Sequence, residues 1–175
     1  MIVFGCLPHQ ASDHATFFLG EIMFPTGSII AIGSDHAGYP LKEQLKACLT
    51  DMGYVVDDKG THNTESCDYP DFGAAVAHAV AEKKAVAGVL VCSTGIGISI
   101  SANKVPGVRA ALVHHIFEAE MTRRHNDANI LCFGAATIGP VIAIEALKRF
   151  MDAEFDGGRH ERRVQKILDI ERGLI

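Results

Sequence analysis

No two cysteines in the sequence stand in CxxC spacing; the five, Cys6, Cys48, Cys67, Cys92 and Cys132, are scattered and odd in number. That excludes a disulfide scaffold and a structural zinc site, and it suits a reducing cytoplasm. Basic excess is missing too: 16 Lys and Arg against 21 Asp and Glu leave a net charge of −5, so the molecule is not built to coat nucleic acid. No unbroken apolar run approaches the ~18–20 residues that span a bilayer. The first 27 residues carry no basic n-region, and Pro8, His9 and Gln10 interrupt their early apolar run, which argues against a secretory signal. What is present is 48% apolar and 21% charged residues over 175 positions, the balance of one ordinary globular domain with a short appendage. Pro25-Thr26-Gly27 punctuates the boundary. Residues 1–27 read as an extension of no assigned role, with Met23 a natural internal start, and residues 28–175 read as the domain.

From Ser28 onward, short apolar runs alternate with longer stretches of helical spacing. The runs are SIIAIG (28–33), YVVDD (54–58), AGVLVC (87–92), VRAALV (108–113) and NILCFG (129–134). Between and after them lie helical patterns over 40–53, 70–84, 97–104, 116–126 and 139–151. Continuous rather than alternating apolar runs are what strands covered on both faces require. Five β–α alternations predict a three-layer, doubly wound, five-stranded parallel sheet of Rossmann-like type. After the Gly157-Gly158 break, residues 159–172 predict a charged amphipathic helix with Val164, Ile167 and Leu168 along one stripe. The five-strand sheet does not need that helix for its own closure, so it is expected to pack on a partner subunit.

Ligands of such sheets bind outside the carboxyl ends of the strands, so the strand-to-helix junctions carry the chemistry. GSDHAG (33–38) places Asp35 and His36 at the first junction, where they could polarise a hydroxyl or hold a metal; Asp35 could equally cap the next helix and His36 fill a turn. VCSTGIGIS (91–99) is more informative. Glycines free its backbone to aim several N–H groups at one spot, and the helix that follows adds partial positive charge. A thiolate at Cys92 beside this anion hole would be stabilised and could act as nucleophile or proton-transfer base. The GxGxxG dinucleotide pattern does not fit here. RRHNDAN (123–129) brings His125 and Asn126 just before the fifth strand, at the opposite end of the sheet from Cys92, so a role in the same site needs donation across an interface. In GGRHERR (157–163), Arg159 and Arg163 share a helical face and suit phosphate.

Together these segments resemble the ribose-5-phosphate isomerase B family, with its galactose-6-phosphate and allose-6-phosphate isomerase relatives. The resemblance rests on GSDHAG, DYPDF (68–72), VCSTGIGISISANKVPGVRAAL (91–112), RRHNDANILCFGA (123–135) and GGRHERRV (157–164), and runs from about Ile29 to Glu171. Of the family's two types, one with a cysteine base and one with a carboxylate in the next helix, the chain resembles the first: Cys92 is present and Ile98 holds the carboxylate position. Ser93 stands where many relatives have glycine.

The resemblance implies an aldose–ketose isomerase acting on ribose 5-phosphate and ribulose 5-phosphate in the non-oxidative branch of the pentose phosphate pathway. In it Arg159 and Arg163, with Arg109 or His36 nearby, hold the phosphate, and His125 with Asp35 opens the furanose ring. Cys92 moves the proton between C2 and C1. Thr94 and the amides of Ser93, Gly95, Ile96 and Gly97 stabilise the enediolate, while Asn126 and Tyr69 bind sugar hydroxyls. It implies no metal and no organic cofactor, a cytoplasmic homodimer with shared sites, or a tetramer of such dimers, and no nucleic-acid or membrane partner. A six-carbon sugar phosphate and a non-catalytic phosphosugar-binding module remain as alternatives. A cysteine phosphatase does not fit, because residues 92–99 contain no arginine.

Overall fold

A computed structural model of the chain describes residues 24–175; residues 1–23, with Cys6 and Met23, lie outside the described residues. Among the described residues five strands alternate with five helices, and a sixth helix follows: β1 Ile29–Ser34, α1 Tyr39–Asp51, β2 Val55–Asp58, α2 Tyr69–Ala81, β3 Ala87–Cys92, α3 Ile96–Ala102, β4 Ala110–Leu112, α4 Ile116–Asn126, β5 Ile130–Gly134, α5 Pro140–Asp152 and α6 Arg159–Glu171. Helices α1, α2 and α5 each have a proline in the first turn, where its missing N–H costs no helical hydrogen bond. Left-handed Gly157 and Gly158 separate α6 from α5.

All strands are parallel, in the order β2-β1-β3-β5-β4. β5 therefore lies between β3 and β4, an order that the run of alternating segments does not reveal. Alternate side chains of the central strands enter two cores. Ile30, Ile32, Val89, Val91, Leu131 and Phe133 pack with Leu45, Leu147 and Phe150 of α1 and α5. On the opposite face Ala31, Leu90, Ile130 and Cys132 meet Val76 of α2 and Ile98 of α3. Each apolar run is continuous because both its faces are covered.

β4 is shorter than the 108–113 run. Asn103 takes the place of a neighbouring strand there: its Nδ2 donates to the Ala110 carbonyl at 2.8 Å and its Oδ1 accepts from the Ala110 amide at 2.8 Å. Asn129 does the same one residue earlier, accepting from the Arg109 amide at 2.8 Å. The core also begins before Ser28. Phe24 is buried against Phe150, with ring centroids 6.4 Å apart, and its carbonyl accepts from the Tyr54 hydroxyl at 3.1 Å.

The direction of winding reverses between β1 and β3, since β1 leads outward to β2 and the chain then returns across it to β3. The carboxyl ends of these two strands are adjacent: Ser34 pairs with Val91, and the Asp35 amide donates to the Val91 carbonyl at 3.3 Å. The crevice at such a switch point is the expected ligand site.

Candidate active site

Cys92 ends β3, 3% exposed. The chain then turns through Gly95 in the left-handed region (φ 75°), which aims the Gly95 amide back at the sulfur; that N–H donates to Cys92 Sγ at 3.1 Å. A side chain at Gly95 would strike Leu112 and the backbone at Phe133 and Gly134, so the turn needs glycine for space as well as conformation. Thr94 Oγ1 accepts from the Ile96 amide at 3.3 Å. The remaining first-turn amides of α3 have no intrahelical acceptor, and the positive end of the helix opens beside the sulfur. Sulfur, hydroxyl and amides thus form one small electropositive mouth with Ser93 and Thr94 at its exposed rim.

Asp35 and His36 flank this mouth from β1. Asp35 is buried, and its Oδ1 accepts from the Gly38 amide at 2.9 Å, so it does stabilise the turn into α1. His36 Nδ1 lies 3.2 Å from both the amide and the carbonyl of Cys67, which ties the imidazole to the 59–68 loop. Tyr69, the first residue of α2, lays its partly exposed ring over Gly97: a Cβ at Gly97 would come within 2.5 Å of the ring. One end of the sheet therefore gathers Asp35, His36, Tyr69, Cys92, Ser93, Thr94, Gly95, Ile96 and Gly97.

The other candidate residues gather at the opposite end. β3 and β5 run in register from Gly88↔Ile130 to Cys92↔Gly134, four steps or about 13 Å. α4 delivers His125 and Asn126 before Ile130, hence at the far edge from Cys92. There Asp127, in the left-handed region (φ 48°), caps α4 and is gripped by Arg109 and Arg123. Arg109 Nε and Nη2 donate to the Asn126 and Asp127 carbonyls as well. Arg109 thus braces the end of α4 through its Nε and Nη2. Asp35 and His125 are not neighbours within one chain either.

α6 packs on α4 at this edge and presents Arg159 and Arg163. Between them and His125 sits His160, which sequence reading passed over. Its ring stacks on that of His125, with centroids 4.2 Å apart and planes 6° apart, and its Nε2 accepts from Arg159 Nε at 3.2 Å. Asp156 completes the group, 3.8 Å from His125 Nε2. The Arg124 hydrogen bond holds the Asp156 carboxyl below the usual carboxylate range. Desolvation, helped by His125, Arg159 and Arg163, holds His160 below the usual histidine range. The ligand atoms of His125, Asp156 and His160 lie within 4.8 Å of one another, close enough to share a metal ion. Arg124 and Arg159 are already bonded to that group, so its surroundings favour an anion over a cation. A cleft of about 340 Å³ lies beside Arg124 and Asp156.

The model of the ribose/galactose isomerase family matches residues 30–167. Ribose-5-phosphate isomerase B of Escherichia coli is 43% identical over 143 residues, covering 82% of this chain and 96% of that protein. Among solved structures, ribose-5-phosphate isomerase B of Clostridium thermocellum superposes with a TM-score of 0.82 at 50% identity, over 84% of this chain and 99% of that one. The Mycoplasma genitalium enzyme, solved with bound ribulose-5-phosphate, superposes with a TM-score of 0.79 at 38% identity, over 82% of this chain and 96% of that one.

Proposed function

The chain belongs to the ribose/galactose isomerase family, and from that premise we infer that it interconverts ribose 5-phosphate and ribulose 5-phosphate. The observation that carries the mechanism is the Gly95 amide directed at Cys92 Sγ at the mouth of α3. The Cys92 thiolate removes the C2 proton of the open-chain aldose while charge moves onto O1, and donors at 93–97 hold the resulting enediolate. The proton returns to C1, the hydroxyl proton passes from O2 to O1, and C2 becomes the carbonyl. Before this, His125 opens the furanose by carrying the anomeric hydroxyl proton to the ring oxygen. Asn126 and Tyr69 bind hydroxyls, Arg159 and Arg163 hold the phosphate, and no metal or organic cofactor takes part.

One chain holds these groups at opposite edges of its sheet, so the site is shared between two subunits of a homodimer. Asp35 and His36 of one subunit then stand beside His125 of the other. α6 supports this reading: only its His160 and Val164 are buried, while its Ile167 and Ile170, and Leu174 just past its end, are exposed. Among the described residues no helix is long and apolar enough to cross a membrane, and a cytoplasmic location suits a sugar-phosphate substrate and free thiols.

The test is to assay the purified full-length chain on ribose 5-phosphate and allose 6-phosphate, following ketose formation. Turnover of the pentose with kcat/KM at least about tenfold above that of the hexose is the expected result. The opposite ratio would assign a six-carbon substrate, and activity on neither would favour a binding module.

A further inference from the structure

His160 lies on α6, is 7% exposed, and belongs to neither the sulfur cluster nor the solvent face that carries Arg163. Its two aspects meet two different partners. One face of the ring covers the ring of His125 at 4.2 Å, almost parallel. One edge offers Nε2 to the Arg159 Nε–H at 3.2 Å. An imidazole nitrogen that accepts carries no proton, so His160 is neutral with its proton on Nδ1. A neutral ring can stack on His125 whether or not His125 is charged, whereas a second imidazolium there would repel it. The bond to Nε also fixes the guanidinium plane and leaves both terminal nitrogens of Arg159 for a bidentate anion contact. A buried side chain of another type could fill the space but could not supply both an aromatic face and an acceptor edge.

We propose that His160 is a positioning residue that couples phosphate binding to ring opening, its face orienting His125 and its Nε2 edge orienting Arg159. The inference rests on the roles given above to His125 and Arg159. It adds a link between them: an anion that draws Arg159 into place also settles the ring against which His125 is held. Phosphate at one end of the sugar thereby sets the geometry of the proton carrier at the other.

The two aspects separate by substitution. His160→Phe keeps an aromatic face and removes the acceptor. KM for the sugar phosphate should rise roughly tenfold in both directions, with kcat close to wild type. His160→Asn keeps an acceptor and removes the stacking face. It should lower kcat from ribose 5-phosphate about tenfold or more, with KM within about twofold. From ribulose 5-phosphate it should keep near wild-type initial rates, because a ketopentose whose O5 is esterified has no furanose to open. Wild-type parameters in both variants, or the same change of kcat and KM in both, would overturn the proposal. His125→Asn runs alongside. If it loses aldose turnover while the His160 variants do not, only the coupling fails. If it keeps full aldose turnover, the ring-opening role fails and the proposal with it. Should a variant not fold, long-range ¹H–¹⁵N correlation on the wild-type protein decides: an unprotonated Nε2 at His160 supports the assignment, and a protonated one overturns it.

Discussion

Cys92 and Cys132 stand on neighbouring strands and differ in what surrounds the sulfur. Cys132 is sealed in the core, where burial first and the nearby Cys92 second push its thiol far up. Cys92 lies at a strand end with an amide donating to it. Cys92→Ala should therefore lower kcat by about 10²–10⁴ while a phosphosugar still binds. Near wild-type kcat in a steady-state assay would end the cysteine-base reading. Cys132→Ala should leave kcat within about twofold and cost about 1 kcal/mol of stability. Gly97 offers a finer test. A methyl there collides with the Tyr69 ring, which is exposed enough to swing aside. Gly97→Ala should raise KM several-fold through displaced Tyr69, with little change of melting temperature; unchanged KM would remove Tyr69 from the binding face. Both residues stand within motifs that the sequence displays. His160 stood there too, between two arginines, but nothing in GGRHERR says which ring it will touch.

Between residue and molecule, α1 and β2 illustrate how an element serves a site it does not enter. Lys42 is fully buried, and its Nζ donates to both Asp58 oxygens at 2.8 and 2.7 Å and to Glu43 at 2.6 Å. Lys46 reaches Asp58 at 2.7 Å and the Gly60 amide donates to it at 3.0 Å. Burial alone would raise the Asp58 carboxyl, but the Lys42 and Lys46 hydrogen bonds and the Gly60 amide outweigh it and hold it at about 2. Asp58 thereby pins the start of the 59–68 loop whose Cys67 backbone ties down His36. A carboxyl held below its unfolded value of about 3.9 stabilises the fold fully above that pH. The contribution, roughly 2 kcal/mol, is lost as pH falls from about 4 through 2. Asp58→Asn should be less stable than wild type at pH 6, with the difference shrinking by about that amount at pH 2, as urea unfolding at each pH would reveal. Lys42→Ala, which leaves Asp58 buried without its main partner, should cost about 3 kcal/mol at neutral pH. A gap that stays constant with pH would show that Asp58 is not the acid-sensitive group.

At the scale of the whole molecule, parallel β3 and β5 keep the sulfur and the histidine–arginine cluster apart. About 13 Å of sheet lies between them, and side-chain motion does not close that distance. The proposed sharing of sites between subunits makes a definite forecast. Mixing Cys92→Ala protein with Arg163→Ala protein should restore about a quarter of wild-type activity, because half the dimers are mixed and each has one intact site of two. No recovery, once subunit exchange is confirmed by native mass spectrometry, would mean that each site is built within a single chain. Deleting residues 157–175 should both weaken dimerisation and raise KM, since α6 and the residues after it carry the arginines along with the exposed Ile167, Ile170 and Leu174.

The sequence by itself determined the layers of the fold and the sulfur end of the site. Apolar runs covered on both faces are continuous, and a cysteine, turn glycines and a helix start are consecutive residues whose geometry is local. Tertiary structure alone decided what depends on pairing between distant segments. β5 inserts between β3 and β4 because strand order is set by how helices pack over the sheet, which no single run encodes. Asn103 and Asn129 shorten β4 by reaching residues 7 and 20 positions away. Arg109 meets Asp127 across 18 positions of chain, and His160 meets His125 across 35. Local spacing names the groups that can do chemistry; packing, which joins groups far apart in the chain, chooses which of them meet.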